Sequence, residues 1–236
     1  MKEYDIGIIG AMDSEVNTLI SHLGNHTSER FGSITFHGGE LYGRRVVIAR
    51  CGIGKVFAAL CCEAMIVRYS PRLVINTGVG GAISPSLRPL DVVIADRLCQ
   101  HDMDTSPLGD PKGMISGIDT IYFETDRRAR EILLSAAIDM RIRVSLGTIA
   151  SGDRFIATSA DKAQLASDFG ADVCEMEGGA IAQVCYVNET DFAVVRAISD
   201  SADGSAEMDY AQFLPQAAKT SAELTLALIK AYPVED

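Results

Sequence analysis

The 236-residue chain has no tryptophan, four histidines, seven prolines and fewer basic than acidic residues. It also has no apolar run approaching the ~20 residues that a membrane helix needs. Each shortage excludes something. Without a long apolar run, no helical membrane protein is expected. The opening MKEYDIGIIGAM places Glu3 and Asp5 beside an apolar stretch too short for a signal peptide, so the expected compartment is the cytoplasm. With 21 Lys and Arg against 32 Asp and Glu, the net charge is −11, which argues against nucleic acid or an anionic membrane as the main partner. A small neutral or cationic ligand is not excluded. None of the six cysteines (Cys51, Cys61, Cys62, Cys99, Cys174 and Cys185) forms a CxxC pair, and all except Cys99 sit in apolar patterns. Buried free thiols in a reducing compartment are expected. The one histidine near other ligand types is His101, in the run with Asp102 and Asp104. Neighbours on an extended chain face opposite ways, so a loop of polar contacts is preferred over a metal site. Neither metal nor cofactor is expected.

What is present is apolar: 47% hydrophobic residues and a mean hydropathy of +0.15 allow a sizeable core. Strand and helix patterns alternate without a linker, so a single α/β domain spanning residues 1–236 is expected, with a mixed central sheet flanked by helices. Residues 4–10 read as a buried strand, followed by a helix with Val16, Leu19, Ile20 and Leu23 on one face. Residues 33–51 read as a hairpin about Gly43. The next helix, 55–69, is expected to bury Val56, Leu60, Ala64 and Val67. A strand at 73–76 then breaks into a glycine turn at 77–82, whose glycines permit close backbone approach. Further on come a strand (90–96), a long polar loop, a helix (125–140), a strand (143–150) and a turn (151–156). A helix at about 159–169 leads into residues 172–200, which read as strand, helix, strand, with the two strands parallel. After a loop to residue 210, the last helix has Pro215 in an early turn.

Ligand crevices in open α/β sheets lie outside the carboxyl ends of the strands. Three acids fall at such places: Glu15, Glu177 and Asp200. Glu15 is equally placed to complement a helix dipole. Phe155 is placed either to stack on a flat base or to cap the core under its loop. GIGK at 52–55 lacks the spacing of a triphosphate loop, and the glycines at 78–81 do not open a helix as a dinucleotide site requires. Three carboxylates, an aromatic plate and exposed backbone, with no evident phosphate clamp, suit cleavage through an oxocarbenium-like transition state. One acid protonates the leaving group, another activates water, and a third holds sugar hydroxyls and stabilises positive charge.

Six segments, GAMDSEV, CGIGKV, VINTGVGGA, SGDRFI, VCEMEG and VVRAISD, in this order and spacing, resemble the methylthioadenosine/S-adenosylhomocysteine nucleosidases of the purine nucleoside phosphorylase-like superfamily. The resemblance spans nearly the whole chain. It implies hydrolysis of the N-ribosidic bond of 5'-methylthioadenosine, S-adenosylhomocysteine and 5'-deoxyadenosine, with release of adenine in methionine salvage. It implies Asp200 as general acid toward the five-membered-ring nitrogen of adenine, oriented by Ser199, and Glu15 as the group that positions and deprotonates water. Glu177 would bind the ribose hydroxyls with Met176 packed on the sugar, and Phe155 would stack on adenine while the backbone of Ile156 reads its edge. Met12, Ile53 and Gly81 would line the ribose and thioalkyl end. The expected substrate-binding set also includes Val79, Glu175, Arg196, which shares Asp200's strand face, and Tyr210. A homodimer is implied, residues 99–115 of one subunit finishing the site of the other. The chain departs from the family pattern at Ala82, Gly178 and Tyr210, and Val79 stands where serine or valine is common.

A phosphorylase of the same superfamily would need arginines aimed at phosphate, and the first turn, GAMDSE, has none. A futalosine-type nucleoside hydrolase is a nearer rival. A non-catalytic nucleoside-binding protein would have no need of all three acids.

Overall fold

A computed structural model describes residues 4–233. Its ten strands, counted among the described residues, form one mixed sheet. Five of them close into a ring. β5 (Leu73–Ala82) pairs with β10 (Asp191–Asp200), which pairs with β6 (Val92–Gln100), then β8 (Val144–Ser151) and β9 (Val173–Glu175), which returns to the end of β5. From β5 the sheet continues outward through β1 (Ile6–Gly10), β4 (Arg44–Arg50), β3 (Ile34–Leu41) and β2 (Gly24–Phe31), while β7 (Phe123–Glu124) adds to β6.

Helices cover both faces. Successive strand residues point to opposite sides, and β1 divides its side chains accordingly. Ile8 belongs to the core cluster that includes α1 (Asp13–Ser21), α3 (Arg127–Asp139) and α6 (Ala206–Ala231), whereas Ile9 belongs to the one that includes α2 (Lys55–Tyr69) and α5 (Gly178–Val187). A smaller cluster of Ile156, Leu165 and Phe169 seats α4 (Ser159–Phe169). The expected mixed sheet flanked by helices is therefore observed.

Several local expectations are corrected. β9 runs antiparallel to β5 and β10 runs parallel to it, so the two strands of residues 172–200 point in opposite senses and are not hydrogen-bonded neighbours. A helical connection permits either direction; the closed ring decides it. Residues 77–82 are not a turn, because β5 continues extended through them and pairs with both β10 and β9. α2 buries Ala58, Cys61, Cys62, Met65 and Tyr69, while Val56, Leu60 and Val67 face outward at 70%, 59% and 68% exposure. The helix is apolar on two faces, and the outer stripe imitated a core pattern. β2 was not anticipated, since every residue in it is exposed and no alternation marks it. Finally, α6 begins at Ala206, so Pro215 lies inside the helix, in its third turn rather than near its start.

α6 is tied to β5 through buried hydroxyls. Ser221 Oγ accepts a hydrogen bond from the Gly78 amide at 3.1 Å and lies 2.8 Å from Thr77 Oγ1. Leaving that amide without an acceptor carries a desolvation penalty of about 1–3 kcal/mol. Ser221→Ala is therefore expected to destabilise the fold by about that amount, measured by urea denaturation; a change within error would mean that the amide finds another acceptor.

Candidate active site

The carboxyl ends of β1, β5, β9 and β10 open onto one cavity of about 340 Å³. Gly81 explains the convergence, because this one residue of β5 pairs with Cys174 of β9 on one side and Asp200 of β10 on the other. Strands of opposite sense thus bring their acids together at the end of β5. Of the residues expected at the site, Met12, Glu15, Ile53, Val79, Gly81, Phe155, Ile156, Glu175, Met176, Glu177, Ser199, Asp200 and Tyr210 line this cavity. Arg196 does not. Ala11, Gly80, Arg154 and Cys174 line it as well and were not anticipated.

Glu15 stands in the first turn of α1 and is 4% exposed. Its Oε2 accepts from the amides of Ala11 (2.7 Å) and Met12 (3.0 Å), and its Oε1 from the amide of Val79 (3.2 Å). Burial raises its proton affinity above the ordinary carboxylate range, against the opposing pull of Arg196 and these amides. β5 passes so close that a Cβ at Gly78 would fall 2.6 Å from Glu15 Oε1, and one at Gly81 2.8 Å from Asp200 Oδ1. The glycine run is therefore a strand that lets two acids press against backbone.

Asp200 ends β10 and is 2% exposed. Ser199 Oγ donates to its Oδ2 at 2.8 Å and the Ala202 amide to its Oδ1 at 2.9 Å. Burial pushes its proton affinity up, outweighing those two donors, and Asp209 and Asp203 push the same way. Glu177 is the N-cap residue of α5, and its Oε1 accepts from the Gly54 amide at 2.9 Å. Burial and the neighbouring charge of Glu175 raise its pKa to about 7, although Arg196 opposes them.

Arg196 lies beneath the cavity, 1% exposed. Its guanidinium is hydrogen-bonded to the Glu175 carboxylate, the Asn76 side chain and the carbonyl oxygens of Asn76 (3.2 Å) and Val195 (3.0 Å). Its expected role as a substrate contact is replaced by a protein-internal one. Burial would raise Glu175, but Arg196, the Ser151 hydroxyl and the Gly178 amide together hold it below the usual carboxylate range.

One wall is apolar. Phe155 and Tyr210 meet edge to face at 5.8 Å, and the Tyr210 hydroxyl donates to Met12 Sδ at 3.2 Å. The rim is tied by a polar clasp. Asp153 Oδ1 accepts from the Lys55 amide (2.8 Å), Asp102 Oδ2 accepts from the Asp153 amide (2.9 Å), and the Lys55 ammonium binds Asp102. Asp104 accepts from the Ser106 amide at 2.9 Å, so the acids of the long loop make polar contacts, as expected. Asn76 and Ser151 were missed. A lone amide in the apolar run LVIN was the available signal for Asn76; Ser151 carried none.

A family model described as the phosphorylase superfamily matches residues 5–230. The 5'-methylthioadenosine/S-adenosylhomocysteine nucleosidase of Actinobacillus succinogenes is 39% identical over 225 residues, covering 95% of this chain and 97% of the relative. The aminodeoxyfutalosine nucleosidase of Campylobacter jejuni is 34% identical over 223 residues, covering 94% and 97%. Among solved structures, the Neisseria meningitidis 5'-methylthioadenosine/S-adenosylhomocysteine nucleosidase in complex with methylthio-immucillin-A superposes with a TM-score of 0.94 at 36% identity, covering 97% of this chain and 99% of that one. Futalosine hydrolase of Helicobacter pylori superposes with a TM-score of 0.92 at 33% identity, covering 96% and 97%.

The raised pKa of Glu177 makes a statement about stability. Between the ordinary glutamate value of 4.5 and about 7, the folded chain holds a proton that the unfolded chain has released. The stability contribution is therefore complete below 4.5 and lost as pH rises through about 7. Glu177→Gln cannot ionise, so it is expected to be more stable than the parent at pH 8, by about 3 kcal/mol, and equal to it near pH 4.5. Thermal denaturation at the two pH values checks this; a gap independent of pH would contradict the raised pKa.

Proposed function

The chain belongs to the phosphorylase superfamily and, within it, to the 5'-methylthioadenosine/S-adenosylhomocysteine nucleosidases, which are N-glycosyl hydrolases; from that premise we propose that it hydrolyses the N-ribosidic bond of 5'-methylthioadenosine, S-adenosylhomocysteine and 5'-deoxyadenosine, releasing adenine for methionine salvage. The observation that carries this is the meeting of Glu15, Glu177 and Asp200 in one cavity, each buried and each with raised proton affinity. An acid must hold its proton near neutral pH to pass it to a leaving group. Asp200, oriented by Ser199, gives that proton to the five-membered-ring nitrogen of adenine. Glu15 positions water and takes its proton. Glu177 receives the ribose hydroxyls, Met176 packs on the sugar, and Phe155 stacks on the base while the backbone of Ile156 reads its edge. Met12, Ile53, Val79, Gly81 and Tyr210 line the ribose and thioalkyl end. The positive charge that develops on the ribose is met by buried carboxylates, which act strongly because little water screens them.

Water is favoured over phosphate as nucleophile. The guanidinium of Arg196 is taken up by Glu175 and Asn76. Arg154, the one cation among the described cavity-lining residues, pairs with Asp161 at 3.0 Å. A second reading, in which a futalosine-type nucleoside is the preferred substrate, is favoured by the likeness to the Campylobacter and Helicobacter proteins.

The assembly we propose is a homodimer. Val56, Leu60 and Val67 on α2, with Tyr186 and Val187 at the end of α5, expose large apolar side chains on helices that adjoin each other. Leu108, in the loop of residues 99–115, is also apolar and 85% exposed. Contiguous apolar exposure of this kind marks an interface. No described helix is long and apolar enough to cross a membrane, and all six cysteines are buried free thiols, which fits a cytoplasmic enzyme.

Adenine release from methylthioadenosine is expected in phosphate-free buffer; strict phosphate dependence would overturn the hydrolase reading. Asp200→Asn is expected to lower kcat by about 10²–10⁴-fold with an unchanged circular dichroism spectrum, and near-parental turnover would remove Asp200 from its role. The ratio of kcat/KM across methylthioadenosine, S-adenosylhomocysteine, deoxyadenosine and aminofutalosine decides between the two substrate readings. Leu60→Asp is expected to yield a monomer with impaired activity, measured by light scattering and adenine release; a parental mass would place the interface elsewhere.

A further inference from the structure

α5 begins at the residue that is assigned to the ribose. A helix N-terminus leaves its first amides in need of acceptors, and a short polar side chain at the N-cap (Ser, Thr, Asp or Asn) ordinarily turns back to supply one. Glu177 does not: it makes no side-chain cap, and its Oε1 is directed to the Gly54 amide across the cavity rim. The acceptors come from elsewhere. Glu175 Oε2 accepts from the amides of Glu177 (3.1 Å) and Gly178 (2.8 Å), and Ser151 Oγ accepts from the amide of Gly179 (2.6 Å). Ser151 in turn donates to Glu175 Oε1, and Arg196 binds Glu175 Oε2. Both oxygens of Glu175 are thus occupied by protein donors although the residue borders the cavity. The fit is close: a Cβ at Gly179 would fall 2.9 Å from the Cys99 carbonyl oxygen and 2.9 Å from Ser151 Cβ.

We propose that Glu175 and Ser151 are positioning residues that cap α5 in place of Glu177, so that the Glu177 carboxylate is delivered to the sugar rather than folded back on its own helix. The proposal rests on the reading that Glu177 holds the ribose, and it moves Glu175 from the substrate contacts to the support beneath them. Glu175 also acts on Glu177 through its charge. The groups that face Glu177 are Glu175 and Arg196 beneath it, Glu15 from α1, Cys51 after β4, Tyr210 from α6, and Asp200 across the cavity. Of these, Glu175 contributes the largest push toward protonation, after burial itself.

Two variants test this. Glu175→Gln keeps an acceptor oxygen for the amides of α5 but removes the charge and leaves Arg196 uncompensated. Both changes favour ionised Glu177, so the acid limb of the kcat/KM profile with methylthioadenosine should move down by about one pH unit. Ser151→Ala removes the acceptor for Gly179, and should raise KM about tenfold while kcat stays within about threefold. A Glu175→Gln profile superimposable on the parent, or a Ser151→Ala loss that falls on kcat alone, would overturn the proposal. If Glu175→Gln fails to fold, Ser151→Ala decides. A carbon-13 titration of the Glu177 carboxyl, assigned with Glu177→Gln, reads the same shift without turnover. An enzyme inactive on methylthioadenosine whose Glu177 titration still moves would therefore defeat the substrate reading and leave the positioning role standing; an unmoved titration would defeat the latter.

Discussion

Burying several carboxylates in one small volume is the constraint around which this structure is arranged, and the ion pair between Arg196 and Glu175 is what makes it tolerable. Like charges in a poorly solvated space resist ionising together, so some of them must retain protons or find a cation. The one guanidinium beneath the cavity is committed to Glu175, which it holds ionised. Glu15, Glu177 and Asp200 remain above it with raised proton affinity. Acid chemistry at neutral pH requires a carboxyl in that condition. The ion pair therefore does more for the balance of protons than for stability, since desolvation offsets much of the attraction within a buried pair.

Backbone amides finish what the guanidinium begins. Each of the three acids accepts from at least one main-chain N–H: Ala11, Met12 and Val79 for Glu15, Gly54 for Glu177, and Ala202 for Asp200. Such donors fix a carboxylate in place without adding a mobile charge. Glu15 and Asp200 can lie against β5 only because that strand carries glycine at positions 78 and 81. Hydroxyls of Thr77 and Ser221 hold that strand against α6, so the packing of the last helix and the placement of the first acid are mechanically joined.

The closed ring of strands resolves an arrangement that an open parallel sheet would not allow. β9 and β10 run in opposite senses, yet both meet the same glycine of β5. α5 covers one side of the ring and α2 beside it covers β1 and β4, and α2 keeps a second apolar face for solvent or a partner.

Much of this was written in residue order. The alternating strand and helix patterns, the three acids after strand ends, the glycines beside them and Phe155 follow from local composition and spacing and pointed to a mixed α/β fold with two-carboxylate chemistry. The resemblance carried by the six ordered motifs pointed to a nucleosidase. What local pattern cannot carry is which of two apolar faces goes inward and which strands become neighbours. α2 has two such faces, and only the packing of Cys61, Cys62 and Met65 against α5 and the sheet assigned Val56, Leu60 and Val67 to the outside. Extended backbone and a glycine turn look alike in the run from Thr77 to Ala82, until long-range pairing with β9 and β10 straightens it. Alternation along the strand put Arg196 on the face of Asp200, but β10 shifts register between Ile198 and Asp200, and Glu175 and Asn76, residues distant in sequence, draw the guanidinium beneath the cavity. The sequence by itself determined which groups are chemically able to act as acid, base or stacking surface, because that ability depends on side-chain type. The tertiary structure decided which of them line the cavity and which support the others, because that depends on contacts between segments far apart in the chain.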